Sequence, residues 1–122
     1  MKLRTFGALV TLVVLLNGCA TVDVTKTAKG FYSPTKADDV DILMTRPAQD
    51  YIELATVSTT NWSPSETAKM HNAIRAKTAP LGANAVVLTE SGILRGNGRN
   101  TMWTTGVALR FKSEKAGEDT QP

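Results

Sequence analysis

The chain has 122 residues, 42% apolar and 20% charged, which is enough for one domain of ordinary globular composition. One cysteine excludes an internal disulfide framework, and one histidine excludes a multi-histidine metal site. The formal net charge is only +3, so nothing in the balance points to nucleic acid.

The N-terminus opens with a positive stretch carrying Lys2 and Arg4. An uncharged, mostly apolar run follows over residues 6–16, and then Asn17-Gly18-Cys19. A spanning helix needs roughly 18 or more apolar residues, so this run is too short to cross a bilayer and stay. It has the layout of a secretory signal peptide. The segment Leu16-Asn17-Gly18-Cys19 resembles the lipobox of bacterial lipoproteins. That resemblance implies cleavage before Cys19 and acylation of its thiol, with residues 1–18 removed. Two or three acyl chains on one residue make a stable anchor, whereas one alone binds only marginally. Ala20 follows the cysteine in place of Asp, which by the enterobacterial sorting rule implies the outer membrane, with the domain facing the periplasm. Loss of Lys2 and Arg4 leaves twelve Lys and Arg against eleven Asp and Glu, a side-chain charge of +1. A nucleic-acid partner is therefore not expected.

Residues 19–38 read as a lipidated tether, rich in Thr and Lys, with Gly30 and Pro34. Phe31 and Tyr32 are its exceptions, suited to docking on the domain. Residues 39–112 read as the compact domain and 113–122 as a polar, frayed tail. Val40, Ile42 and Met44 alternate with polar neighbours and predict a first strand, ended by Arg46-Pro47. Tyr51 to Thr59 is rich in β-branched residues and predicts a second. Ser63-Pro64-Ser65-Glu66 begins a helix, carried on by Met70, Ile74, Lys77 and Leu81. Pro80 tightens its last turn and Gly82 supplies a left-handed stop. Asn84 to Glu90 is a third strand, and Asn97-Gly98 marks a tight hairpin turn. In the last strand Trp103, Thr105, Val107, Leu109 and Phe111 share one face, and Thr104, Gly106, Ala108, Arg110 and Lys112 the other. The expected fold is an α+β two-layer sandwich, one helix on a four-stranded sheet in the order ββαββ. One helix covers one face, so the other is expected to be solvated or to be an interaction surface.

Catalytic signals are weak, and the protein is expected not to be an enzyme. His71 follows Met70 on the helix and reads as a boundary residue rather than a base. Ser58, Ser63, Ser65 and Ser91 lack a nucleophile motif. Asp38, Asp39 and Asp41 form a small acidic cluster at the strand entry that reads as solvated, with a ligand or partner contact or a weak divalent-cation site as the alternative; it lacks the spacing of an EF-hand loop, so no metal or other cofactor is assigned. Arg95 and Arg99 flank a glycine-containing hairpin tip. That tip suits lipid phosphate or an acidic envelope polymer, and the plainer reading is a charged turn kept soluble. Trp62, just before the helix cap, reads as a hydrophobic staple, and Trp103 has the period of a core residue.

The stretches Val40-Asp41-Ile42, Tyr51 to Ser58 and Lys77 to Leu88 resemble the sensor lipoprotein of the Rcs envelope-stress phosphorelay and its relatives. The last includes Gly82-Ala83-Asn84-Ala85-Val86, similar to a widespread small-domain motif in which a helix ends before a buried strand. The resemblance implies an anchored, sheet-based envelope module that works by protein contact. This chain lacks that sensor's paired cysteines, since Cys19 is its only one. The expected function is a non-enzymatic protein-interaction module in envelope sensing or assembly, with an envelope protein partner or self-association. The alternative is an envelope lipoprotein that binds a metal, lipid or glycan fragment.

Overall fold

A computed structural model describes residues 20–96 and 98–112. Their elements are β1 (Thr21–Lys26), β2 (Asp41–Leu43), β3 (Tyr51–Trp62), α1 (Thr67–Thr78), β4 (Ala85–Gly96) and β5 (Arg99–Phe111). Together the strands form one mixed five-stranded sheet in the order β1-β3-β5-β4-β2. Strand β2 pairs with β4 in parallel, and the other neighbours are antiparallel.

The expected four-stranded ββαββ sheet is therefore corrected. The additional strand is β1, drawn from residues assigned above to the tether. Val22 and Val24 alternate there with Thr21, Asp23 and Thr25, so the two valines face the helix and the polar residues face solvent. Val22 is only 7% exposed. Trp62 fastens the start of this strand, its indole N–H donating to the Thr21 carbonyl at 2.9 Å.

The helical segment follows its sequence signals. Pro64–Glu66 form a 3-10 turn whose cap, Ser63, accepts from the Ser65 amide. Helix α1 continues from it, and a second 3-10 turn at Ala79–Leu81 contains Pro80. Gly82 then closes the segment at φ 94°. A Cβ here would meet Tyr32 Cβ at 2.8 Å and the Ser33 carbonyl at 2.9 Å, so position 82 requires glycine twice over. Asn84 ties the turn to the sheet: its side-chain oxygen accepts from the Phe111 amide at 2.7 Å.

The helix lies on the face that carries the small side chains of β5. Met70 and Ile74 are buried against Ala55, Val57, Val86 and Ala108. Gly106 leaves no room for a larger residue, since a Cβ would stand 2.6 Å from the Val87 carbonyl. Trp103, Val107, Leu109 and Phe111 therefore occupy the opposite face. Trp103 is half-buried there and not under the helix, its indole lying against Gly92. This second face is divided. Leu109 and Val87 are buried on it, whereas Thr56, Ser58 and Thr60 of β3 are exposed.

Residues 27–40 strap the helix end. The Thr35 hydroxyl donates to the Ala83 carbonyl at 2.6 Å, and Tyr32 packs against the core. Arg110 stands 5.4 Å from the Tyr32 ring centroid and donates to the Gly82 carbonyl. Phe31 remains 87% exposed, with the Lys26 ammonium above its ring. Of the two aromatics expected to dock, Tyr32 does and Phe31 does not.

Candidate functional site

Strand β2 is short, and it pairs with β4 only at Ala85, Val86 and Val87. Beyond that point the outer edge of β4, residues 88–96, has no strand neighbour among the described residues. Unpaired edges present rows of backbone donors and acceptors. Beside this edge, between it and the first turns of α1, lies a groove of about 240 Å³. Met44, Met70, Leu88 and Met102 give it apolar walls, and His71 and Glu90 stand at its margin.

Local sequence explains the groove. The alternation that starts at Val40 carries Met44 to the helix side of the sheet, where it is 66% exposed. A register shift between Leu88 and Glu90 interrupts the β4–β5 ladder beside the groove. Thr104 lines the groove and is a buried partner of Thr59 across β3 and β5, its amide donating to the Thr59 hydroxyl at 2.9 Å. That hydroxyl has the Met70 sulfur and the Thr104 carbonyl as acceptors, at 3.4 and 3.3 Å. The Thr59 and Thr104 polar groups are thus hydrogen-bonded. His71 is half-buried, and burial first, then the nearby Arg75 charge, lowers its pKa from the ordinary 6.5. Among the described residues no serine or carboxylate is hydrogen-bonded to His71.

The residues singled out in the sequence are not brought together. Asp38 and Asp39 form an exposed 3-10 turn, and Asp41 begins β2 opposite Ala85. Arg95 and Arg99 lie at the other end of β4 and β5. Ten residues of strand separate Ala85 from Arg95, about 33 Å. The acidic cluster and the basic tip are therefore separate features. Among the described residues no group of three His, Cys, Asp or Glu side chains is placed to hold a metal ion. Cys19 lies outside the described residues. Among those described, no helix is long and apolar enough to cross a membrane.

Sequence reasoning missed the groove because its walls come from four different elements or connections. Met70 reads as a helix residue and Met44 and Leu88 as strand residues, while Met102 falls between the hairpin turn and the last strand. The sequence placed Met44 within the first strand, whereas β2 ends at Leu43, and that early end opens the edge.

No protein-family model matches the chain, and no curated protein matches it. The fold is similar to the crystal structure of a Francisella virulence factor, FvfA, with a TM-score of 0.55. The match has 14% identity and covers 75% of this chain and 99% of that one. At that identity the likeness shows the fold alone.

Proposed function

We propose that the protein is a lipid-anchored envelope module that binds a partner protein and carries out no chemistry of its own, in envelope sensing or assembly. The anchor is Cys19, acylated after removal of residues 1–18, with the domain facing the periplasm from the outer membrane. The order of basic residues, apolar run, small residues and cysteine supports the anchor.

The observation that carries the binding role is the unpaired outer edge of β4 alongside the groove. An extended segment of a partner adds there as a strand, in the slot that β2 vacates after Leu43. Main-chain hydrogen bonds supply affinity, and alternate side chains enter the groove. The groove's size favours this occupant over a free ligand. Pockets for small molecules run from roughly 300 to 1,000 Å³, and about 240 Å³ suits one or two side chains of a peptide.

A photo-crosslinking residue at Ser91, on the open edge, tests the reading in the native envelope. The expected result is one defined protein adduct, lost in Met44→Lys, together with a mature chain whose intact mass shows acylated Cys19. No adduct from Ser91, or an equal adduct from Ser58 on the solvated face, would refute the edge as the binding site.

A further inference from the structure

The direction of β1 determines which end of the sheet lies nearest an anchor on Cys19. Strand β1 begins at Thr21, opposite Thr60, near the end of β3. Only Ala20 separates Cys19 from Thr21, and the two steps span about 7 Å at full stretch. Trp62 and Thr60 both bond Thr21, through its carbonyl and its hydroxyl, so the strand start is held in place. The same end carries the β4–β5 hairpin. Its last register with β3 is Met102 opposite Trp62, and β5 begins at Arg99. The hairpin thus overhangs β3 by three residues, about 10 Å, on the side from which the anchor enters.

The overhang has the chemistry of a bilayer contact. Arg95 and Arg99 are exposed at its tip, and the sequence from Ser91 to Lys112 contains no acidic residue. Register places Arg95 on the side of Ile93 and Met102, and Arg99 on the side of Leu94 and Trp103. Ile93 and Leu94 are 50% and 61% exposed. Each side of the hairpin therefore pairs a cation with an apolar residue. The Leu94 side adds an indole, a side chain enriched at membrane interfaces. An anchor only two residues long keeps these cations within reach of the surface field, which decays over about 8 Å at physiological salt.

We propose that the β4–β5 hairpin is the membrane-facing end of the molecule and docks through Arg95 and Arg99 onto the phosphates of an anionic phospholipid surface. This inference rests on acylation of Cys19. It adds an orientation: the hairpin tip and Trp62 end face the bilayer, while the Asp38–Asp41 end faces away. Each cation near such a surface favours docking by about fivefold, and the pair by about 30-fold.

The test uses the full acylated mature chain in vesicles of phosphatidylethanolamine and phosphatidylglycerol, in phosphatidylcholine vesicles, and in neutral detergent, with amide hydrogen exchange as the readout. Docking predicts at least fivefold slower exchange over residues 92–103 in the phosphatidylglycerol vesicles than in the other two media. Exchange over residues 51–54, at the far end, stays the same. Arg95→Gln/Arg99→Gln removes the difference, and so does high salt. Equal exchange in all three media overturns the docking while an acyl mass on Cys19 leaves the anchor reading intact. An unacylated mature chain overturns both. Protection that appears only on adding envelope proteins, whatever the lipid, overturns the bilayer as occupant and assigns the tip to an acidic protein.

Discussion

Gly82 and Asn84 show what the Gly-Ala-Asn-Ala-Val stretch is for. Gly82 ends the helix in a conformation other residues reach only with strain, and Tyr32 and Ser33 close over it. Asn84 then holds the end of β5 by its side chain. Gly82→Ala adds unfavourable backbone geometry to a clash, so an expected loss of about 2–3 kcal/mol should appear as a lowered urea midpoint at unchanged slope. The stretch is thus explained by turn chemistry within this fold. His71 makes a second prediction at this scale. Its folded pKa lies below the ordinary 6.5, so the unfolded chain takes up the proton first on acidification. The stability held by neutral His71 is complete above the unfolded pKa. It falls as the pH drops through about 6.5 and levels off below the folded pKa. Unfolding measured between pH 8 and pH 5 should show this decline, and His71→Gln should flatten it.

Strand β1 is the element whose presence changes most. It has two inward valines, and its polar residues resemble those of a tether. An isolated six-residue segment of that kind has little reason to be extended; a ready-made edge on β3 gives it one. Trp62 is the link, because its N–H reaches the Thr21 carbonyl from the end of β3. Trp62→Phe keeps most of the apolar surface and removes that bond. The expected cost is about 1 kcal/mol. It should appear as faster amide exchange at Val22 and Val24, with α1 and the β4–β5 hairpin unchanged. A uniform rise in exchange across the sheet would instead mean that Trp62 acts through core packing.

At the scale of the whole molecule, the sheet has two ends of different chemistry and a short connection to Cys19. The basic hairpin and the start of β1 share one end, and the acidic turn at Asp38 and Asp39 sits at the other. Length of connection should therefore matter. A ten-residue Gly-Ser insert between Ala20 and Thr21 has an average reach of about 17 Å, twice the screening length. We expect the insert to leave acylation and the melting temperature unchanged. Hairpin protection on phosphatidylglycerol vesicles should fall toward that on phosphatidylcholine. Unchanged protection would mean that the hairpin binds without help from the anchor.

Local sequence determined the pieces whose causes are local. Ser63, Pro80 and Gly82 bounded the helical segment, and β-branched content from Tyr51 and alternation from Trp103 marked two long strands. Asn97-Gly98 announced the hairpin, of which Asn97 itself lies outside the described residues. The Cys19 motif was likewise legible without any fold. Tertiary structure alone decided which face of β5 the helix covers. It chose the face of Thr104, Gly106 and Ala108, because a helix packs close only where side chains are small. It also recruited β1, paired β2 in parallel with β4, and left the rest of that edge open. These outcomes depend on partners dozens of residues away, and no local period encodes a partner's distance.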